Sequence, residues 1–135
     1  MAVNLDKDYR YLAGLLDGEG CFAVYKREDG HRLHLQMTAR DKWFLERIQE
    51  TYGGKISYMG KSALSNNDLW YIRFRKKEIL EMLPKVIPHL IMKKEQAQML
   101  LKAAQITDRH RFKDYNPSEL VNIVLNIKRL KQGAI

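Results

Sequence analysis

Residues 11–22, YLAGLLDGEGCF, place two carboxylates and three glycines inside one apolar stretch. The apolar spacing predicts a helix from about Asp8 to Gly18, so Asp17 and Glu19 fall at its C-terminal end, where the helix dipole disfavours negative charge. A bound divalent cation removes this conflict, because magnesium takes carboxylate and phosphate oxygens together. Two such helices packed side by side would bring two Glu19 carboxylates together, and paired metal-binding acids are what the hydrolysis of two phosphodiester bonds needs.

A stripe of small side chains on the same predicted helix indicates a close helix–helix contact. Ala13 lies one turn before Asp17, and Gly14 lies one turn before Gly18, so another helix backbone can approach this stripe closely. The contact could lie within the chain or could join two copies of it. We predict the second, with these four residues in a dimer interface.

The composition favours a nucleic-acid partner. The 135 residues include 24 Lys and Arg against 16 Asp and Glu, for a formal net charge of +8 that is spread along the chain. A basic surface of this kind favours nucleic acid first, and an anionic membrane or ribosomal RNA second. The single cysteine excludes an internal disulfide and a cysteine-rich zinc site. Because the sequence has neither a leader-like start nor an apolar stretch long enough to span a bilayer, we expect a soluble intracellular protein without a membrane partner.

The elements that must position these residues are predicted to form one α+β domain over residues 1–135. Asp6 or Asp8 is expected to cap the first helix, and Asp29–Gly30 is expected to join two strands. The other predicted strands cover about 55–60 and 69–75. The other predicted helices cover 41–52, 77–83, 92–105 and a last stretch that starts after Asn116. The order α-β-β-α-β-β-α-α-α indicates one antiparallel sheet with packed helices.

The Asp29–Gly30 turn predicts the register of the first hairpin, because residues that flank a two-residue loop pair directly. Glu28 then pairs with His31 and Arg27 with Arg32, and apolar residues alternate onto the core face. The opposite face of both strand pairs carries basic, hydroxyl, amide and aromatic side chains, which bond to base edges and phosphates. We predict that this face contacts DNA through Tyr25, Arg27, Arg32, His34, Gln36, Thr38, Lys55, Ser57, Lys61, Tyr71, Arg73 and Arg75.

Residues 12–20, LAGLLDGEG, closely resemble the LAGLIDADG motif that names a class of homing endonucleases. The likeness continues in order through a long hairpin, the KWFLERI helix, a second hairpin and the segment HLIMKKEQAQMLLK, and so covers most of the chain. With one motif copy, the chain is similar to the members that act as homodimers on near-palindromic DNA. The resemblance implies an α+β fold with a saddle-shaped, four-stranded antiparallel sheet.

The resemblance also implies roles for individual motif residues. The eighth motif position, which holds the family's metal-binding acid, corresponds to Glu19, and the carbonyl of Gly18 is the implied second ligand of Mg²⁺. Asp17, at the sixth position, is then mainly structural. Lys93 is the best match to the family's supporting basic residue, and Lys94 is the rival.

One position departs from the family pattern. The family often has a glutamine shortly after the second strand, and Ala39 falls near that place here. Arg40 and Lys42 are therefore expected as substitutes that support catalysis.

These implications together predict a homodimeric, site-specific, double-strand DNA endonuclease that depends on Mg²⁺. Two alternatives use the same basic surface: an RNA-binding intron maturase, with intron RNA as its partner, and a DNA-binding regulator that keeps the fold without cutting. Glu19 counts against the regulator, because a pure binder has no need for an acid that faces phosphates. The compartment is expected to be the cytoplasm or an organelle interior, depending on the encoding genome.

Overall fold

Five helices and four strands form in residues 8–28, 30–110 and 117–131, which are the residues that the computed structural model describes. The helices are α1 (Tyr9–Glu19), α2 (Lys42–Tyr52), α3 (Lys76–Val86), α4 (Lys94–His110) and α5 (Pro117–Lys131), with a 3-10 turn at Ile87–His89. The strands are β1 (Gly20–Arg27), β2 (Gly30–Ala39), β3 (Lys55–Lys61) and β4 (Asp68–Arg73). The predicted order of helices and strands is confirmed.

The ends of the helices follow from local chemistry and from packing. Asp8 caps α1, because its carboxylate accepts the backbone N–H groups of residues 10 and 11 at 3.0 and 3.2 Å; Asp6 and Asn116 lie outside the described residues. α3 was predicted to end near Pro84, but it continues to Val86. Leu83 and Val86 are fully buried, so tertiary packing outweighs the backbone hydrogen bond that proline cannot make.

The four strands form one antiparallel sheet in the order β1-β2-β4-β3. One face of the sheet and the apolar stripes of all five helices merge into a single buried cluster. The fully buried side chains at its centre include Leu16, Phe22, Leu35, Leu45, Ile72, Leu83, Leu100 and Ile127. The helices therefore cover the core face of the sheet, and its other face, the outer face, carries the polar strand residues.

The first hairpin pairs two residues away from its predicted register. Arg27 pairs with Gly30, whereas the predicted turn paired Arg27 with Arg32. Gly30 is the first residue of β2 and has a φ of 141°, a conformation that favours glycine. Because the shift is an even number of residues, every side chain of the hairpin keeps its predicted face.

The prediction for Lys61 was wrong, because a β-bulge reverses the alternation of β3 before this residue. Tyr58 points away from the outer face, and Met59 is the extra residue of the bulge. Lys61 therefore lies on the same side as Tyr58. The carboxylate of Asp68 accepts hydrogen bonds from the Tyr58 hydroxyl at 2.8 Å and from the Lys61 ammonium at 3.0 Å.

The prediction for Arg75 was also wrong, because Arg75 lies beyond the end of β4 and caps α3. Its guanidinium pairs with the Glu78 carboxylate at 3.1 Å, and its backbone N–H donates to the same carboxylate at 2.8 Å. Burial of Glu78 opposes its ionisation, but the hydrogen bonds from Arg75 and from the Gly54 N–H outweigh burial and lower the pKa of Glu78. Arg75 thus serves the helix end instead of the outer face.

No helix in the described part of the chain combines the length and the apolar character that crossing a membrane requires.

Leu35→Ala tests the assignment of the two faces. Leu35 is fully buried on the core face, so the substitution should lower the free energy of unfolding by about 2–5 kcal/mol through the cavity that it leaves. Arg32→Ala, on the exposed outer face of the same strand, should change it by less than about 0.5 kcal/mol. Urea unfolding followed by circular dichroism measures both; equal losses would contradict the assignment.

Candidate active centre and nucleic-acid interface

The C-terminal end of α1 carries an exposed carboxylate. Glu19 is the last residue of α1, and its side chain makes no hydrogen bond or ion pair with any other residue that the structure describes. The last turn of α1 also has no basic residue. An unpaired carboxylate at the negative end of a helix dipole is a position that favours a cation.

The junction between α1 and β1 fixes where this carboxylate stands. β1 begins at Gly20 directly after Glu19, without an intervening loop. The N–H of Gly20 donates to the carbonyl oxygen of Leu16, and a Cβ atom at position 20 would lie only 2.6 Å from that oxygen. Only glycine fits this approach, so the acid and the first strand of the sheet are joined rigidly.

Asp17 anchors the segment that precedes α4 to the end of α1. Its carboxylate accepts the backbone N–H groups of residues 91–93 at 2.7 to 3.0 Å. Lys93, held in this way, places its Nζ 2.6 Å from the carbonyl oxygen of Gly20. This brings the charge of Lys93 to the residue next to Glu19, whereas Lys94 is exposed at the start of α4.

Glu19 and Arg40 line the same open cavity, which has a volume of about 350 Å³. The hydroxyl-bearing Thr38 and the small Ala39 also line it. Lys42 instead places its ammonium 4.6 Å from the centre of the Trp70 ring. Of the two expected substitutes for the family's glutamine, Arg40 therefore lies beside Glu19, and Lys42 is engaged in a cation–π contact.

The predicted dimer stripe divides into two parts. Ala13 is fully buried within the protomer, and the Asp17 carboxylate bonds to the backbone of residues 91–93, so the protomer already uses both. The prediction for Ala13 is therefore wrong, whereas Asp17 is only half-buried and its place in the interface stays a prediction. Gly14 and Gly18 are exposed, and a Cβ atom at either would meet nothing within 4 Å outside its own helix turn. The open part of the stripe consists of these two glycines.

The outer face of the sheet carries most of the residues that were predicted to contact DNA. Pairing across the strands places the following on it: Tyr25, Arg27, Arg32, His34, Gln36, Thr38, Lys55, Ser57, Tyr71 and Arg73. Their side chains carry hydroxyls, an amide, aromatic rings and cations, and none of them carries a carboxylate. The face therefore suits an anionic partner.

His34 is the exception on this face, because it is only 8% exposed. The Tyr25 ring packs edge-on against it, with ring centres 5.3 Å apart. Burial, followed by the charges of Arg73, Lys131 and Arg32, lowers the pKa of His34 to about 4, so it is neutral at pH 7. We therefore correct its predicted role: His34 is a packing residue beneath Tyr25.

The sequence did not predict that the end of α5 reaches the outer face. Lys131 donates a hydrogen bond from its Nζ to the Sγ of Cys21 at 3.1 Å, although the two residues lie 110 positions apart. No local pattern signals such a contact. The basic last turn of α5, with Lys128, Arg129 and Lys131, adds positive charge at this edge of the sheet.

The residues at the end of α1 fit a divalent cation only when further ligands are added. The described residues contain no group of three metal-ligating side chains. One protomer offers the Glu19 carboxylate and the backbone carbonyls of the last helical turn, such as that of Gly18. Magnesium fits such a site, because it retains waters and is held by one or two carboxylates together with substrate phosphates.

Residues 12–106 match the family described as LAGLIDADG endonuclease, and the chain belongs to this family. The match confirms the resemblance that the motif indicated, and with it the endonuclease class. A comparison with curated proteins gives no match.

Solved structures of homing endonucleases share the fold. I-TnaI is 20% identical, with a TM-score of 0.64 over 94% of this chain and 95% of that chain. The archaeal intron-encoded I-Vdi141I, solved in complex with DNA, is 23% identical, with a TM-score of 0.58 over 95% of this chain and 99% of that chain. I-CvuI, solved with its target in 2 mM Ca, is 21% identical, with a TM-score of 0.64 over 92% of this chain and 80% of that chain. The predicted fold class is confirmed.

Asp17→Ala tests the anchor between α1 and residues 91–93. Three backbone N–H groups lose their acceptor, so the free energy of unfolding should fall by about 1–3 kcal/mol. Asp17→Asn keeps one acceptor oxygen and should lose less. Glu19→Ala, two residues away and unpaired, is the matched control and should stay within about 0.5 kcal/mol in urea unfolding. An equal loss in the Asp17 and Glu19 alanine variants would contradict the anchor.

Proposed function

We propose that this protein is a site-specific, double-strand DNA endonuclease that acts as a homodimer and requires a divalent cation, with Mg²⁺ as the physiological ion. The observation that supports it most is the unpaired Glu19 carboxylate. It stands at the end of a helix whose exposed glycines leave room for a second copy, and Lys93 lies beside it. Membership of the LAGLIDADG endonuclease family supports the same reaction.

The need for a dimer follows from the ligand count of one protomer. Glu19 alone cannot complete a cation site, and cleavage of two strands needs two attacked phosphates. A second α1 helix packed on Gly14 and Gly18 would bring the two Glu19 carboxylates to the same end of the helix pair. Such an arrangement is isologous, because the same surface meets itself across a two-fold axis. It would present two sheets to a target whose half-sites are near-palindromic.

The residues at the end of α1 would divide the work of phosphodiester hydrolysis. Glu19, with the Gly18 carbonyl, would hold the cation, which lowers the pKa of an attacking water and offsets charge on the phosphate when it is bound. Lys93 uses one of its three N–H donors on the Gly20 carbonyl, so two remain for phosphate oxygens. Arg40, which lines the same cavity as Glu19, would bind a second phosphate oxygen.

The outer face of the sheet would bind the half-site. Its cations suit the phosphate backbone, and its amide, hydroxyl and guanidinium groups suit base edges in the major groove. The net charge of +8 adds a non-specific attraction to DNA. I-Vdi141I and I-CvuI, which share this fold, were both solved in complex with DNA, and I-CvuI was also solved with DNA in 2 mM Mg.

The same surface would also serve an RNA-binding intron maturase or a non-cutting regulator. The exposed Glu19 disfavours both, because without a cation its charge repels any phosphate backbone that approaches the end of α1. The endonuclease is therefore the preferred function. We expect it to act in whichever compartment holds the genome that carries its target, the cytoplasm or an organelle interior.

Glu19→Gln tests the metal-binding role. The amide keeps the size of the side chain but removes its charge, so cleavage in Mg²⁺ should vanish on both strands. Binding in Ca²⁺ should persist, because the variant removes a repulsion between carboxylate and phosphate. The substrate is a plasmid with the joined sequences that flank the reading frame. Cleavage is read on agarose gels and binding by gel shift. Normal cutting by this variant would remove Glu19 from the mechanism.

Two neighbouring lysines provide the matched pair for the same assay. Lys93→Met should lower the cleavage rate, because its ammonium lies at the end of α1, whereas Lys94→Met, exposed at the start of α4, should leave the rate near that of the wild type. Equal rates in the two lysine variants would contradict the assignment of Lys93 to the active centre.

Gly14→Leu tests the dimer. The new side chain meets nothing within the protomer, so the variant should fold normally while its bulk keeps a second α1 helix away. Analytical ultracentrifugation should show a dimer for the wild type and a monomer for the variant. Gln98→Leu, which adds the same side chain at an exposed position of α4, is the control and should remain dimeric. A stable Gly14→Leu dimer would place the interface elsewhere.

A further inference from the structure

A single row of side chains crosses all four strands of the outer face. Backbone pairing aligns Cys21, Gln36, Arg73 and Lys55 on β1, β2, β4 and β3 in turn. Lys131 donates to the Cys21 thiol at the end of this row. The remaining three residues, Gln36, Arg73 and Lys55, form what we call the donor row.

Gln36 and Arg73 act as one hydrogen-bonded unit within the donor row. The Nε and Nη2 atoms of Arg73 lie 3.2 and 2.8 Å from the Oε1 atom of Gln36. A guanidinium has only donors, so the amide must turn its oxygen toward Arg73, and two N–H groups occupy both lone pairs of that oxygen. The amide nitrogen of Gln36 is therefore the end that remains available.

The position of Arg73 is further restricted by its neighbours. Its guanidinium lies 4.9 Å from the centre of the Tyr71 ring, a cation–π contact that restricts the plane of the guanidinium. Lys55 stands opposite Arg73 on β3. A ligand therefore meets two N–H groups from Gln36, three from Arg73 and three from Lys55, of which the Gln36–Arg73 pair is held in place. The donor row offers no free acceptor.

The base edges in the major groove differ in the number of acceptors that they offer to these N–H groups. Guanine presents two acceptors, N7 and O6, whereas adenine presents one acceptor beside the N6 donor. Glutamine contacts adenine through its carbonyl and its amide together, and this is impossible while Arg73 occupies the carbonyl of Gln36. Donors facing the N6 group of adenine leave buried N–H groups unpaired, which costs binding energy.

We propose that the donor row selects guanine at the base pair it contacts in each half-site and rejects adenine there. This proposal rests on the proposed function, since it names the base chemistry that the same face would recognise. Phosphate oxygens are also pure acceptors, so the same donors could bind the DNA backbone without selecting a base. The experiment must separate these two sources of acceptors.

The test uses the full-length protein and a duplex DNA library of random sequence, with Ca²⁺ to permit binding without cleavage. Bound molecules are amplified and sequenced for the wild type, for Arg73→Ala and for Gln36→Leu. Arg47→Ala, which removes the same charge from the exposed side of α2, is the control. Circular dichroism establishes that each variant is folded before selection.

The expected result is a strong guanine preference at one position of each half-site in the wild type and in Arg47→Ala. Arg73→Ala should change this preference to adenine by about tenfold, because it releases the Gln36 carbonyl for bidentate contact. Gln36→Leu should weaken the guanine preference without introducing adenine. This second variant tests the proposal independently if Arg73→Ala fails to fold.

Two other results would overturn the proposal. If both variants lose affinity for all sequences equally, with unchanged preferences at every position, the donor row binds phosphates. If the wild type enriches no sequence at all, the proposed site-specific function fails, and the selection of guanine fails with it. Enrichment by the wild type together with unchanged preferences in the variants therefore removes this inference alone.

Discussion

The carboxylate of Asp17 joins two parts of the chain that are 74 to 76 positions apart, and the active centre depends on this contact. One carboxylate satisfies three consecutive backbone N–H groups directly before α4, which would otherwise need water. The same contact sets the position of Lys93 and holds Ile91 and Met92, which are 87% and 76% exposed, beside α1. The charge of Lys93 and an exposed apolar surface are therefore positioned by one side chain.

Much of the fold could be predicted from the sequence because its signals are local. Asp8 caps α1 through atoms two and three residues away, and the strands alternate apolar and polar side chains. The faces of the first hairpin were correct even though its register was not, since alternation has a period of two residues and the error was even. The position of Glu19 followed from the helix end, whereas the roles proposed for Glu19 and Lys93 come from the resemblance and stay predictions.

The incorrect assignments share a different cause: each depends on which neighbour a side chain meets in the folded chain. The bulge that turns Lys61 away is not visible in the alternation of β3, and the guanidinium of Arg75 follows Glu78. His34 has the polarity of a DNA contact but lies beneath Tyr25. Ala13 belongs to the small-residue stripe, yet the core of its own protomer covers it. Spacing along the chain cannot show which of several neighbours a side chain meets.

The direct passage from α1 into β1 through Gly20 has a consequence for the evolution of a target. In the proposed function, Glu19 holds the cation and β1 contacts bases, and the distance between them is fixed because no loop between the two can lengthen or bend. Substituted bases in a drifting host sequence can be accommodated by new side chains on the outer face, where changes cost little stability. An inserted or deleted base pair between the cut and the half-site alters a distance that the protein cannot adjust. Insertions and deletions in the target would therefore abolish its cleavage more readily than point substitutions would.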